Sequence, residues 1–194
     1  MFADAQAVLD FWFLPAGSDG HGAARREWFQ KDAQFDAQIR ERFGALIELA
    51  LAGRLQAWEE GGALPALALI VLLDQLTRNA YRGTSRAFAG DALALHAARK
   101  LVAEGADLTL MPQQRSFVYM PFEHAEDLAT QNQSVDLFTR LSAAQAGFEN
   151  SLDYAHRHHV IIERFGRFPH RNEILGRAST PEEVAFLSQP GSGF

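Results

Sequence analysis

The sequence predicts an all-α protein, and three observations carry that prediction. Apolar residues recur at three- and four-residue spacing, as in Phe35, Ile39, Phe43, Leu46, Ile47 and Ala50. No segment keeps the alternating pattern of a half-buried strand. Residues that start and stop helices stand where the periodic segments begin and end. The expected architecture is a single domain, residues 1–194, of about eight helices in stacked antiparallel pairs.

The elements follow in order. Val8, Leu9, Phe11 and Trp12 place a first helix over roughly Asp4 to Phe13, closed by Pro15 and the loop Gly17-Ser18-Asp19-Gly20. Asp32 is placed to cap the second helix, which Gly53 ends. A short turn around Leu55 and Trp58 precedes Gly61-Gly62. Pro65 suits the first position of a third helix, Ala66 to Asn79. Its opening turns are apolar all round, which marks it as the central buried helix. Thr84 is expected to cap a helix reaching Glu104, before Gly105. Pro112 begins another, and Pro121 is expected to break or kink it into a continuation to about Ala144. Asp153 to Phe165 reads as a helix stopped by Gly166. Thr180-Pro181-Glu182-Glu183 is a capping box with proline in the first turn. The tail Gln189-Pro190-Gly191-Ser192-Gly193-Phe194 has no period, and no internal repeat is apparent.

Composition narrows the chemistry. The 194 residues are 47% hydrophobic and 22% charged, enough to bury a sizeable core. The absence of cysteine excludes disulfides, thiolate catalysis, iron–sulfur clusters and cysteine-based zinc sites. Met1-Phe2-Ala3-Asp4 opens no secretory signal, and the longest apolar run, Ala63 to Leu73, is too short to span a bilayer. The expectation is a cytoplasmic protein with no membrane partner. A net charge of −6 disfavours nucleic acid, whose binding rests on phosphate neutralisation. Yet His156 to Arg177 holds five arginines against Glu163 and Glu173, a local excess that suits a small anion better than a polyanion.

Two histidines fall where the helical period expects core. At about 100° per residue, His158 lies among Tyr154, Ile161, Ile162 and Phe165. On the helix expected after Pro121, His124 shares an arc with Leu128, Gln131, Val135 and Phe138. Both are either core imidazoles satisfied by hydrogen bonds or members of one polar pocket, where a neutral imidazole is a natural proton-transfer group. His124, Glu126 and His158 would make a two-histidine, one-carboxylate metal set, but His-Glu-x-x-His and the Glu-x-x-His pairs of di-iron bundles are missing. No metal and no cofactor are expected.

The arginines pose the same choice. Asp74 precedes Arg78 by four, the favourable order for an ion pair within a helix. Arg78 and Arg82 either lock a helix end or clamp a carboxylate or phosphate. Arg164-Phe165-Gly166-Arg167-Phe168-Pro169-His170-Arg171-Asn172 is the densest cluster. It is either an ion-pair network with Asp74, Asp91, Glu123, Glu126 or Asp127, or a ligand site built from Arg164, Arg167, His170, Arg171 and Asn172. Phosphate-loop glycines and a Gly-x-Ser-x-Gly elbow are absent.

The order of motifs resembles a known family. Val8-Leu9-Asp10-Phe11-Trp12-Phe13, Trp28-Phe29-x-x-Asp32-x-x-Phe35-Asp36, and Leu72-Leu73-Asp74-Gln75-Leu76-x-Arg78-Asn79 occur in turn. Tyr81-Arg82-Gly83-Thr84, Tyr119-Met120-Pro121-Phe122-x-His124-x-Glu126 and the Arg164–Asn172 stretch follow, then Leu175-Gly176-Arg177-x-Ser179-Thr180 and Pro190-Gly191-Ser192. This pattern resembles the bacterial domain of unknown function 924 family. The resemblance implies an all-helical fold similar to tetratricopeptide-repeat-like arrays, and it implies no activity. Two positions depart from the pattern: Ser85 stands where proline is expected, and Ala125 where serine is expected.

The functional expectation is a small-ligand site, enzymatic or not. In it His124 and His158 transfer protons or hydrogen-bond, Glu126 orients one of them, and Arg78, Arg82, Arg167 and Arg171 hold an anionic group. The alternative is a tetratricopeptide-like module whose concave face binds a peptide or protein.

Overall fold

The computed structural model of the chain describes residues 2–193. Met1 of the opening Met1–Asp4 stretch and Phe194 of the aperiodic tail lie outside the described residues. All regular structure among the described residues is helical. Helix α1 spans Ala3–Phe13 and α2 Ala33–Leu51. Helix α3 is continuous over 63–80, an α-helical Ala63–Ile70 and Thr77–Ala80 flanking a π-helical Val71–Leu76. Then come α4 (Asp91–Ala103), α5 (Pro112–Glu123), α6 (Leu128–Ala144), α7 (Glu149–Phe165) and α8 (Pro181–Leu187). Among the described residues that makes eight helices with short 3₁₀ turns between them. No described helix is long and apolar enough to cross a membrane.

The chain folds into two units, each packed mainly on itself. The first holds residues up to Arg82 together with Arg86–Phe122; the second holds Gly83–Ser85 and residues from Glu123 onward.

In the first unit α3 is the central element, packed against α1, α2 and α4. Every residue from Ala66 to Thr77 is buried, as its all-round apolar opening predicts. Trp12, Phe13, Trp28 and Phe117 form an aromatic cluster with ring centroids 4.8–6.0 Å apart. The end of α1 is closed by side chains: Arg25 donates to the Phe11 and Trp12 carbonyls, and His21 Nδ1 lies 2.7 Å from the Leu14 carbonyl. Asp32 caps α2 by accepting from the Gln34 and Phe35 N–H groups.

Four boundaries differ from expectation. Helix α3 begins at Ala63, which puts Pro65 third in the helix, still within the first turn where a missing N–H loses no intrahelical bond. The stretch after Thr84 is only a 3₁₀ turn, Ser85–Phe88, and α4 starts at Asp91. At the junction, Gly90 packs against the backbone of α3 so closely that a Cβ there would sit 2.3 Å from the Leu73 carbonyl oxygen. Leu73 lies inside the π-helical segment, a register shift that no local propensity announces. Because backbone cannot swing aside as a side chain does, Gly90→Ala is expected to destabilise by about 1–3 kcal/mol. Gly44→Ala, inside α2 with open space at its Cβ, is expected to stabilise by about 0.5–1 kcal/mol. Urea denaturation midpoints moving in opposite directions at unchanged m-value check the pair.

In the second unit α6 and α7 pack along their lengths as a helical hairpin across residues 145–148. The third difference lies at its entry. Helix α5 runs through Pro121 to Glu123, and the chain breaks only afterwards, over 124–127. The break is set by Asp127, whose carboxylate accepts from the Thr130 N–H and opens α6 as its N-cap. Helix α7 begins at Glu149 rather than Asp153, and Gly166 at φ 68° ends it. Thr180 and Glu183 make the expected capping box of α8.

Candidate functional site

The histidine of α7 lies where the helical period puts it. His158 is 4% exposed, with Ile161 and Ile162 buried beside it, whereas Tyr154 is 39% exposed. Its Nδ1 is 2.9 Å from the Tyr154 carbonyl and 2.9 Å from Glu123 Oε1. Two acceptors at one ring nitrogen require a proton there, so in the neutral ring Nε2 is the acceptor. Glu123, the last residue of α5, is itself buried.

His124 does not sit on a helix, and the helical face expected for it is corrected accordingly: it occupies the first residue of the 124–127 break. The side chain nevertheless comes to the same place. Its ring centroid is 6.2 Å from that of His158, at an interplanar angle of 62°. The two imidazoles thus stand together for a reason other than shared helical phase. Phe168, fully buried, lies with its ring 5.4 Å from His158 and 5.6 Å from His170, and the Arg171 guanidinium covers it at 4.4 Å. Arg171 also donates to the His124 carbonyl at 3.1 Å. Burial, reinforced by the neighbouring Arg171 charge, lowers the His170 imidazole to about 4, so it is neutral near pH 7.

The rest of the Arg164–Asn172 segment is engaged with carboxylates. Gly166 turns the chain out of α7, and a 3₁₀ turn at Pro169–Arg171 turns it again. Arg164 bonds Glu182 through two nitrogens at the surface, where such a pair contributes little. Arg167 forks onto Glu183 at 2.7 and 2.8 Å. Glu183 is 2% exposed and also accepts from the Thr180 N–H and from Asn172. The Arg167 guanidinium above all, aided by the Thr180 N–H, overcomes burial and brings the Glu183 carboxyl down to about 2. Asn172 also donates to Ser179 and accepts from Arg177 Nε.

Glu126 does not touch His158 Nδ1; Glu123 takes that position. The Glu126 carboxylate is gripped by Arg177, with contacts of 2.5 and 2.9 Å, and by the Phe168 N–H at 2.8 Å. Burial pushes its carboxyl up, but Arg177 and that N–H outweigh burial and hold it below the usual range.

Arg78 and Arg82 belong to the first unit. Arg78 bridges Asp74 and Asp91 at 2.9 Å each, which realises the ion pair expected from the four-residue spacing. Arg82 forks onto buried Asp36 at 2.7 and 3.0 Å, and Asn79 donates to the same carboxylate at 2.8 Å. Of the groups expected to hold an anion, Arg78, Arg82, Arg164 and Arg167 therefore each have a carboxylate from this chain. His170 and Arg171 are the ones set around Phe168 with the imidazole pair.

Three residues of this arrangement were not singled out as site residues from sequence: Glu123, Arg177 and Glu183. Glu183 had a local signal in the capping box, but nothing in that motif tells that its carboxylate reaches Arg167. Glu123 had none, because it meets His158 across 35 residues of chain. Among the described residues no group of three His, Asp or Glu side chains is placed to hold a metal ion.

The likeness to known proteins extends over nearly the whole chain. Residues 8–191 match the model of a family described as "Bacterial protein of unknown function (DUF924)". A solved structure of a protein of unknown function from Agrobacterium tumefaciens, ATU0120, is 42% identical, with a TM-score of 0.82 over 96% of this chain and 97% of that one. No match was found among the curated proteins.

Proposed function

We propose that this chain, which belongs to the DUF924 family of bacterial proteins of unknown function, binds a small anionic molecule beside the imidazoles of His124 and His158. One observation carries the reading. A buried carboxylate, Glu123, holds Nδ1 of a buried histidine, and a second imidazole stands 6.2 Å from the first. A carboxylate on Nδ1 orients the ring and stabilises it once protonated, which suits Nε2 to take a proton from a bound molecule and return it. His124 is the second proton-transfer or hydrogen-bonding group. Arg171 supplies positive charge close by, and neutral His170 serves as a hydrogen-bonding partner. Glu126, Arg167, Arg177 and Asn172 act by holding the segment that carries Phe168, His170 and Arg171 in place.

Thermal denaturation in the presence of a panel of carboxylates and phosphate monoesters tests the reading. At least one member is expected to raise Tm of the native protein, with the rise lost in His158→Gln and His124→Gln. A panel without effect, or shifts retained in both variants, sinks it. A peptide-binding reading is supported by a different feature, a groove of about 520 Å³ in the first unit lined by Leu64, Pro65, Leu110 and Met111. A displayed peptide library whose binders compete with no member of the anion panel would favour that alternative.

A further inference from the structure

A second groove, of about 450 Å³, lies in the first unit between α1 and the start of α2, and its volume is within the roughly 300–1,000 Å³ of small-molecule sites. On one wall Phe11 stacks on Phe35 with centroids 5.1 Å apart and planes 11° apart. The Arg42 guanidinium lies over Phe11 at 4.7 Å and over Phe43 at 5.2 Å, which holds the planar group in one orientation. Among the described residues, no hydrogen bond or ion pair engages that guanidinium. The same holds for the side-chain amides of Gln34 and Gln38, which line the groove on the same face of α2. Gln34, Gln38 and Arg42 recur every four residues, so their donors form a row about 12 Å long at 1.5 Å per residue.

The groove's acidic groups, by contrast, already have partners. Asp10 accepts from Gln6, Asp32 caps α2, and Glu27 lies 3.6 Å from Arg25. Arg25 in turn is committed to the Phe11 and Trp12 carbonyls. Asp10, Glu27 and Asp32 are each engaged through one carboxylate oxygen, and beside them the Gln34 and Gln38 amides and the oriented Arg42 guanidinium form a row of donors without a partner among the described residues. The geometry points to a binding site for an elongated carboxylate. Its carboxylate group lies in the Arg42 fork, and further oxygen acceptors along its length meet Gln38 and Gln34. A free dicarboxylic acid and the C-terminus of a peptide share this chemistry.

The test is titration of ¹⁵N-labelled full-length protein with glutarate in one arm and acetyl-dialanine in the other, at constant ionic strength. The Arg42 Nε–H and the Gln34 and Gln38 side-chain amide resonances are followed. Saturable shifts with either compound support the site, and the compound that saturates first identifies the source. Arg42→Gln is expected to weaken binding roughly tenfold, the scale of one charge-assisted fork, while Arg54→Gln leaves it unchanged. Shifts that stay linear with concentration, that saturate at the same concentration in Arg42→Gln as in the native protein, or that occur equally with acetyl-dialanine amide overturn the proposal. The site shares no residue with the histidine pair, so its failure and that of the proposed function are independent.

Discussion

Replacing Arg78 with methionine is expected to cost about 3–5 kcal/mol of stability, more than any other single substitution proposed for this protein. Arg78 stands between two carboxylates, and Asp74 is 1% exposed. Burial disfavours the guanidinium charge, but the Asp74 and Asp91 charges outweigh that and raise its pKa above the ordinary value. Methionine fills much of the same volume and removes the charge, which leaves the Asp74 carboxylate buried with the Gln75 amide as a neutral partner. Removing one partner of a buried pair is costly because the other cannot return to water. The double variant Asp74→Leu/Arg78→Met removes both charges and is expected to recover most of the loss. Urea denaturation of the three variants measures this coupling. If Arg78→Met lies within about 1 kcal/mol of the native protein, the pair is not a structural anchor and Arg78 returns as a candidate for ligand binding.

The second large effect is a loss of stability in mild acid traceable to His170. Its folded-state pKa is about 4 against an ordinary 6.5, so between these values the unfolded chain binds a proton that the native protein refuses. The contribution is full above pH 6.5, declines by about 1.4 kcal/mol per pH unit as pH falls, and levels off below pH 4. Over that window the loss reaches about 3 kcal/mol. The causes are the burial of the ring and the charges of Arg171, His158 and Arg177, against Glu126. Carboxylates act in a different window. Glu183, held at about 2, contributes stability that is complete above pH 4.5 and lost as pH falls through 2. His170→Gln is therefore expected to flatten the stability profile between pH 6.5 and 4 and to leave the steeper acid limb in place. A profile unchanged by that substitution would show that burial of His170 carries no such penalty.

Much of the helical architecture could be read from local signals because those signals are local in physics. Asp32 reaches the N–H groups two and three residues ahead, and Thr180 and Glu183 satisfy each other within one turn. Gly166 ends α7 because it takes a left-handed backbone at no steric cost. The inward face of His158 followed from the 3.6-residue period in the same way. Proline at 121 misled because one missing N–H near a helix end removes little; the cap at Asp127, beyond that proline, decided the break. The helical phase expected for His124 failed with it, although the ring still reached His158.

By itself, then, the sequence determined the helical class, the caps, the burial of α3, the Asp74–Arg78 pair and the core-facing histidine of α7. Each rests on contacts within about four residues of chain, where backbone geometry leaves few choices. Only the tertiary structure decided that Glu123, not Glu126, meets His158, and that Arg177 and the Phe168 N–H take Glu126. Only it decided that Arg82 goes to Asp36, and that Gly90 lies against the π-helical turn of α3. These partners are separated by 17 to 51 residues of chain. A charge in a sequence carries no mark of its distant counter-charge, so packing alone assigned Arg82 to Asp36 and Arg177 to Glu126 and left Arg42 with its donors unspent.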